Sequence, residues 1–361
     1  MICCTECFKD LELKASIESI GKKGNCPICN KKNVYIYDSN YDRDNTDLEE
    51  KLTSILTLYK PVSNIENCSK ENGRTIEKCI CEDWDFFNIK EMYVREILTE
   101  IINNSLSLDH NLLTEDVLIP ELYDEGYLNN NSVLKSCDWK FFKEYMRNVN
   151  RFHNDLINKN VLKDLLKETE ITIPRGSEFF RARICDKNGI KKNDMGAPPP
   201  DIASPGRANS RGQSCLYLCN KKETTLKEIR ANVYDYVTIG NFVLNEPIKV
   251  LDLTTITHNS PFYSDNNKIN YLLNEKHLRE IEKDISKPMS RLDSELDYLP
   301  TQYISDFARF LGYDGIKYNS TFDEKAYNIA LYNPGKCNCR LHKLHYVKNM
   351  KFETKTLTWG K

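Results

Sequence analysis

Two Cys-x-x-Cys pairs near the start of the chain constrain its fold more than any other feature. They are Cys4–Cys7 and Cys26–Cys29, and eighteen residues separate them. Each pair presents two thiolates to one ion, and two pairs complete a closed tetrahedral zinc site. A segment this short cannot bury a sufficient core without such a site. We therefore predict a small zinc ribbon at residues 1–38, in which Zn²⁺ is structural because four protein ligands leave no open position.

Two details of this ribbon follow from the neighbouring residues. Cys3 is adjacent to Cys4 and is an alternative ligand. The alternating run Val34–Tyr37 predicts a closing strand. After it, residues 38–47 are polar and acidic, which is typical of a linker.

Apolar residues at helical spacing dominate residues 48–170, and we predict a helical domain there. Asp47 is the expected N-cap of the first helix, and Pro61 is expected to end it. The clearest apolar stripe lies further along the chain, where we expect one long helix to contribute core. Its members are Trp139, Phe142, Met146, Val149, Phe152 and Leu156.

Arg147 and His153 lie in the same stretch and match the loose Arg-x(4–6)-His pattern of HEPN ribonucleases. On a continuous helix their spacing separates the two side chains by about 120°. They would converge only across a bend or through a homodimer of the helical domain. The pattern is common by chance, and a histidine that is packed or paired at the surface is the alternative, so the sequence leaves a function of this pair open.

Residues 171–361 contain short apolar runs between polar loops and short helices. This pattern predicts a mixed α/β domain of β-rich character, without regular βαβ alternation. The segment contains neither a phosphate-binding P-loop nor a GxGxxG turn. The whole chain is therefore predicted to be a multidomain α+β protein with domains at 1–38, 48–170 and 171–361.

The stretch Pro200–Arg230 predicts a loop, a strand and a helix in succession. Glycines flank Arg207 in the loop, Cys215–Cys219 is apolar enough for a buried strand, and Thr224 is the expected helix N-cap. Glu228 would then lie one turn into the helix. Guanidinium groups, a strand tyrosine and one carboxylate suit an anionic dinucleotide. An ordinary surface loop before an amphipathic helix is the alternative, and spacing alone does not decide between them.

Several blocks of this third segment, taken in order, resemble the RES domain, a bacterial toxin domain named for its Arg, Glu and Ser residues. The blocks are Phe179–Arg183, Gly206–Asn209, Leu216–Leu218, Glu223–Glu228, Asp297–Gln302, Gly312–Ser320 and the strand that begins at Asn328. Each block alone is weak, and their shared order makes the resemblance specific. The Cys-rich start and helical middle also resemble the zinc-ribbon and HEPN-like extension of some RES proteins.

The resemblance implies an ADP-ribosyltransferase-like fold and an enzyme that degrades NAD at the nicotinamide–ribose bond. Such an enzyme would be an NAD glycohydrolase or an NAD phosphorylase, acting as a growth-arresting toxin or an anti-phage defence effector. The implied catalytic residues are Glu228, Arg207, Tyr217 and Ser320. The implied substrate-binding residues are Arg183 or its neighbour Arg181, together with Asn209 and Asn328.

Two departures from the family pattern stand out. Thr225 replaces the usual alanine before the glutamate. The chain also carries its own extension, whereas RES toxins usually stand beside a separate antitoxin, so control is expected from an antitoxin, an activating partner or the extension itself.

The expected chemistry fits a site with one carboxylate. Nicotinamide leaves as a neutral molecule and needs no proton, whereas a glycosidase uses a second carboxyl group to protonate its leaving group. Glu228 would stabilise an oxocarbenium-like transition state or orient water or phosphate. Arg183 and Arg207 would bind the pyrophosphate. Tyr217 would stack on a ring of the substrate, and Ser320 would hydrogen-bond it.

Composition narrows the partners and the compartment. The net charge of −2 gives no reason to expect nucleic-acid binding. The absence of a long apolar run predicts no transmembrane helix. Fourteen cysteines without a recognisable secretion signal favour a reducing cytoplasm.

Several alternatives remain open at the level of sequence. One set of residues has ligand-like chemistry but matches no closed zinc motif, namely Cys337, Cys339, His342 and His345. The third segment could transfer ADP-ribose to a macromolecule, or the chain could be a non-enzymatic zinc-ribbon and helical adaptor or an HEPN ribonuclease. The sequence does not distinguish water from phosphate as the nucleophile.

Overall fold

The computed structural model describes residues 1–65, 72–135, 137–256, 260–262, 267–287 and 294–351. The chain forms two compact units, Met1–Ser136 with Asn259–Lys276, and Cys137–His258 with His277–Lys361. These limits do not coincide with the predicted boundaries, and the three-domain division stays a prediction. Within the described ranges, no helix is long and apolar enough to cross a membrane.

The first unit begins with a small three-stranded sheet. Its elements are β1 (Ile2–Cys4), α1 (Leu11–Glu18), β2 (Lys23–Gly24) and β3 (Val34–Asp38). The central strand β3 pairs antiparallel with both β1 and β2, so the predicted closing strand is confirmed. Gly24 packs closely in the hairpin, because a Cβ there would lie 2.5 Å from Ile36 Cδ1 and the end of that side chain would have to move.

Helices and one short strand pair make up the rest of the first unit. They are α2 (Leu48–Leu56), β4 (Lys60–Pro61), α3 (Ile76–Cys79), α4 (Glu91–Asn104), β5 (Val117–Leu118) and α5 (Glu125–Asn131). Asp47 precedes α2 as predicted, but its carboxylate accepts a hydrogen bond from Ser16 Oγ and caps no backbone N–H. The apolar face of α2 is buried, as its spacing predicts.

The second unit contains one eight-stranded sheet with helices. Helix α9 begins among residues of the first unit. The elements are α6 (Trp139–Asn148), α7 (Lys159–Lys167), β6 (Glu170–Ile173), β7 (Glu178–Cys185), β8 (Leu216–Cys219), α8 (Lys222–Glu228), β9 (Tyr236–Leu244), β10 (Ile248–Asp252), α9 (Lys268–Ser286), α10 (Leu299–Phe310), β11 (Gly315–Asn319), β12 (Tyr327–Leu331) and β13 (Cys337–Tyr346).

The strand order in this sheet is β13-β9-β7-β8-β12-β11-β10-β6, and only β10 and β11 are parallel neighbours. A mostly antiparallel sheet with few crossover helices is the mixed α/β architecture that the sequence predicts.

The two faces of the large sheet carry different chemistry, because paired residues on neighbouring antiparallel strands lie on the same side. The core face is apolar and includes Phe179, Leu216, Leu218, Phe242, Ile329 and Leu331. The other face, here the α8 face, packs against helix α8. It carries Ala182, Tyr217, Tyr318 and Asn328.

The long helix predicted beyond Trp139 is shorter than expected. Helix α6 ends at Asn148, and Asn150 Oδ1 then accepts the N–H groups of Phe152 and His153 at 3.1 and 2.9 Å. This local bonding replaces helical hydrogen bonds. The predicted stripe is buried at Trp139, Phe142 and Met146. It is wrong further on, where Val149 is 69% and Phe152 84% exposed.

Candidate active site

Glu228 is the last residue of α8, and a Schellman turn fixes where that helix ends. The Ala231 N–H donates to the Leu226 carbonyl at 3.1 Å, and the Arg230 N–H donates to the Lys227 carbonyl at 3.0 Å. Arg230 has the left-handed backbone conformation that this turn requires, with φ of +52°. Ala231 and Leu226 also pack in one apolar cluster. The turn therefore sets the position of the Glu228 carboxylate.

The predicted start of this helix is wrong. Lys221 is the N-cap and the helix begins at Lys222, so Thr224 lies inside the helix and is 2% exposed. Thr225 Oγ1 donates back to the Lys222 carbonyl at 2.6 Å. A threonine that bonds backwards in this way does not cap a backbone N–H.

Three of the predicted site residues meet at one oxygen atom. Glu228 Oε1 accepts hydrogen bonds from Ser320 Oγ at 2.7 Å and from Asn328 Nδ2 at 2.8 Å. Both donors are buried, whereas the Glu228 side chain is exposed. Within the described part of the chain, no hydrogen bond occupies Glu228 Oε2. One oxygen of an exposed side chain is thus held by the protein, and the other accepts no hydrogen bond within the described residues.

The hairpin that carries these donors is tied to α8 at two further points. Lys221 Nζ lies 2.8 Å from an Asp323 carboxylate oxygen, and Lys227 Nζ donates to the Phe322 carbonyl at 3.2 Å. The Lys221 ammonium lowers the pKa of Asp323. These contacts join the helix of Glu228 to the loop of Ser320.

A tight turn at Gly206–Asn209 presents Arg207. The Gly206 N–H donates to the Asn209 carbonyl at 2.9 Å. Tyr217 fills the space beneath the turn, since its hydroxyl donates to Asn209 Oδ1 at 2.7 Å and accepts from the Ala208 N–H at 3.1 Å. A Cβ on Gly206 would lie 2.5 Å from that hydroxyl. The glycine, the asparagine and the tyrosine therefore form one structural unit.

Helix α10 holds the same turn from another side. Gln302 Nε2 donates to the carbonyls of Gly206 and Asn209 at 2.8 and 3.0 Å. Ser305 Oγ donates to the Ala208 carbonyl at 2.8 Å. The sequence analysis assigned no role to either side chain. The two residues lie one helical turn apart on the buried side of α10 with Ile304 and Ala308, and polar residues at that spacing among apolar ones are a signal that could have identified them.

Arg207 itself lies against the second half of α9. Its Nη1 donates to the Asp284 carbonyl at 2.5 Å, and its guanidinium lies 5.2 Å from the centroid of the Tyr298 ring. A side chain held by one carbonyl and one ring has its planar fork oriented before any ligand arrives.

Tyr318 is a residue of this region that the sequence analysis did not select. It is 9% exposed and pairs with Asn328 on the α8 face. Burial, and then the charge of Glu228, raise the pKa of Tyr318 well above its usual value, while Arg207 opposes the shift. Both charged groups therefore act on the same phenol, which stays protonated.

The polar atoms of Tyr217 and Asn209 are occupied within the turn. Asn209 Nδ2 donates to the carbonyls of Ser204, Ser210 and Gln213 at 3.0, 3.1 and 3.0 Å. Burial raises the pKa of Tyr217 well above its usual value. Their contact with a substrate stays a prediction, and their hydrogen bonds assign them a part in shaping the loop.

The structure does not bring Arg181 and Arg183 to Glu228. They lie on the same face of β7, as their spacing predicts. That face is the core face, because Gly240, with which Arg181 pairs, lies on the core side of β9. Arg181 Nη1 donates to the Gly196 carbonyl at 2.8 Å, and Arg183 Nη1 donates to the Asp194 carbonyl at 2.6 Å. Burial, followed by the charge of Arg183, lowers the pKa of Arg181 to about 10.

The four predicted metal ligands form one cluster in the first unit, namely Cys4, Cys7, Cys26 and Cys29. The sulfur of Cys4 lies 3.7 Å from that of Cys7 and 3.3 Å from that of Cys29, and the Cys7 and Cys26 sulfurs are 3.6 Å apart. Sulfurs around one tetrahedral Zn²⁺ are about 3.8 Å apart, from Zn–S bonds of about 2.3 Å. The cluster therefore fits a zinc ion. Burial raises the pKa of Cys4 to about 12 without a metal, and Cys3 lies outside the cluster.

Two other sequence candidates are not brought together. In the described residues the cysteine cluster is the one metal-like group, and Cys337, Cys339, His342 and His345 form none. His153 lies beyond the end of α6, while Arg147 lies on α6 and pairs with Asp297 at 3.0 Å.

Comparison with known proteins finds a family match for most of the large sheet. The family model of the RES domain matches residues 179–349. One similar solved structure is that of the M. tuberculosis MbcT–MbcA toxin–antitoxin complex, with 15% identity over 51% of this chain and 92% of that chain. Its TM-score is 0.32. No curated protein matches the sequence. The segment that holds Glu228, Arg207 and Ser320, residues 179–349, is therefore a RES domain.

Proposed function

We propose that the RES domain degrades NAD by cleaving its nicotinamide–ribose bond, with Glu228 as the central catalytic residue. The observation that carries the proposal is the state of this carboxylate. Ser320 and Asn328 hold Oε1 of a side chain that is itself exposed, and within the described residues no hydrogen bond occupies Oε2. A carboxylate fixed in this way is already oriented for reaction and loses little entropy when substrate arrives.

In the proposed reaction the bond between ribose C1′ and the pyridinium nitrogen breaks, and its electron pair goes to that nitrogen. Nicotinamide leaves neutral, and positive charge develops on the ribose. Glu228 stabilises this charge and orients the nucleophile. Water gives ADP-ribose and one proton, whereas phosphate gives ADP-ribose 1-phosphate, so the domain is either an NAD glycohydrolase or an NAD phosphorylase.

Arg207 is the proposed anion-binding residue of the site. Its turn is held by Tyr217, Gln302 and Ser305, which fixes the backbone that presents the guanidinium. A guanidinium is the side chain best suited to bind a pyrophosphate or phosphate group through paired N–H donors. Tyr318 is proposed to donate a hydrogen bond to the substrate, because it pairs with Asn328 on the α8 face and feels the charges of both Glu228 and Arg207. Asn209 and Tyr217 would act through the turn.

The cellular role that follows is a toxin that depletes NAD and arrests growth, either beside an antitoxin or as an anti-phage effector released by an activating partner. The zinc ion proposed at Cys4, Cys7, Cys26 and Cys29 would be structural, because all four of its positions are filled by the protein. The helical part of the chain is proposed to be regulatory.

The test is product analysis of NAD incubated with the purified full chain, with and without phosphate. We expect nicotinamide to be released, with ADP-ribose or its 1-phosphate as the second product. Glu228→Gln should lower the rate by about 100-fold or more, because the developing charge loses its carboxylate. Glu223→Gln is the matched control, since Glu223 is an exposed acid at the first turn of the same helix.

Cells expressing the chain provide the second arm, because any activating factor is available to the protein there. A fall in cellular NAD that requires Glu228 would support the proposal. Unchanged NAD in cells and in both buffers would contradict it. Label from NAD that remains on a macromolecule would instead favour ADP-ribosyl transfer.

A further inference from the structure

Four lysines lie on one short hairpin of the first unit. The hairpin consists of β2, the second Cys-x-x-Cys pair and β3, and its exposed lysines, here the lysine patch, are Lys22, Lys23, Lys31 and Lys32. No acidic residue occurs between Glu18 and Asp38. The local charge of this segment is therefore strongly positive, although the chain as a whole carries −2.

Two tyrosines accompany the lysine patch. Lys23 Nζ lies 4.7 Å from the centroid of the Tyr35 ring, and Lys22 Nζ lies 5.5 Å from that of Tyr41. The Tyr41 side chain is 75% exposed. Cations placed beside exposed aromatic rings form a surface that can hold phosphates and stack bases at the same time.

Two buried acidic residues lie near this surface, and one of them pairs with a lysine of the patch. Asp38 and Asp42 are both buried, and Asp42 accepts a hydrogen bond from the Asp38 N–H at 2.9 Å and pairs with Lys22 at 3.6 Å. A zinc ion with four thiolates would add two negative charges. Its sulfurs lie inside the ribbon, where Cys4, Cys7 and Cys26 are buried, whereas all four lysines face solvent.

We propose that the lysine patch and Tyr41 form a binding surface for single-stranded nucleic acid. Charge complementarity accounts for the phosphate backbone, and the exposed ring accounts for a preference for unpaired bases. A membrane surface or an acidic protein would use the lysines but would gain little from Tyr41. The net charge shows that the chain is not basic throughout, but it does not rule out one local basic patch of this kind.

The experiment measures fluorescence anisotropy of labelled poly(U) and poly(dT) with the zinc-loaded full chain over a range of salt concentrations. We expect binding that weakens with salt, with a slope of log K against log salt near about −3 for four lysine contacts. The RNA and DNA arms identify which nucleic acid is preferred. A duplex of the same length should bind more weakly than either single strand.

The patch variant converts the four lysines to glutamine, and its matched control converts four exposed lysines of the second unit, namely Lys140, Lys159, Lys163 and Lys167. The patch variant should lose at least about tenfold in affinity, whereas the control should not. Tyr41→Ala should weaken single-strand binding by about fivefold or more through lost stacking.

Three results would overturn the inference. They are equal losses in the patch and control variants, poly-glutamate or anionic vesicles competing as well as poly(U), or no binding at low salt. Circular dichroism and zinc content of the variants exclude misfolding as the cause. Glu228→Gln should bind nucleic acid normally, so this inference and the proposed NAD reaction fail or succeed separately.

Discussion

Ser320 Oγ lies 2.7 Å from Glu228 Oε1 and donates a hydrogen bond to that carboxylate. Because Asn328 holds the same oxygen, Ser320→Ala should leave Glu228 in place but loosely oriented. We expect kcat for NAD cleavage to fall by about 100-fold, with a smaller change in KM. Steady-state rates of Ser320→Ala, Asn328→Ala and the double variant would measure this. Losses that simply add would indicate that the two donors do not act through one carboxylate.

The difference between the two faces of the sheet leads to a second prediction, which concerns two arginines. Arg207→Lys should lower kcat/KM by about 100-fold, because a lysine cannot offer the two parallel donors of a guanidinium. Arg183→Lys should change kcat/KM little, since Arg183 lies on the core face and donates to the Asp194 carbonyl. Equal losses in the two variants would mean that both arginines serve one site, as the family resemblance implies.

The central part of this site could be predicted from the order of short sequence blocks. That order selected Glu228, Ser320 and Asn328, and the structure joins them at one oxygen atom. Tyr318 and Gln302 were not selected, because their roles depend on which strand and which turn they meet. Such pairings join residues far apart in the chain, and local patterns carry little information about them.

The arginine pair and helix α6 illustrate the same limit. Side chains alternate between the two faces of a strand, and this correctly predicted that Arg181 and Arg183 share a face. Which face they share depends on the register with β9. Apolar spacing predicted helix beyond Asn148, where the side chain of Asn150 forms a turn instead. The fold class and the cysteine cluster were predictable, because periodicity and ligand spacing are local properties.

Tyr217→Phe tests whether Tyr217 acts by shaping the Gly206–Asn209 turn or by contacting the substrate directly. The change leaves the Ala208 N–H and Asn209 Oδ1 without their partner, which should cost about 1–3 kcal/mol of stability. We expect a lower melting temperature together with a reduced kcat. Tyr327→Phe is the control, because in the described residues its hydroxyl makes no hydrogen bond. A variant with unchanged stability and lost activity would instead favour contact between Tyr217 and substrate.

Zinc loading gives a prediction for the first unit. Cys26→Ser removes one sulfur from the cluster in which Cys7 and Cys26 lie 3.6 Å apart. The free energy of binding structural Zn²⁺ to small domains is about 10–16 kcal/mol, and it stabilises their folded state. Loss of one ligand should therefore release the ion and destabilise this unit. Metal content by mass spectrometry and thermal unfolding with and without chelator would measure both effects. Cys81→Ser is the control, since Cys81 is half-buried in the same unit and lies outside the cluster. If Cys26→Ser retains stoichiometric zinc and full thermal stability, the four thiols do not form a structural metal site.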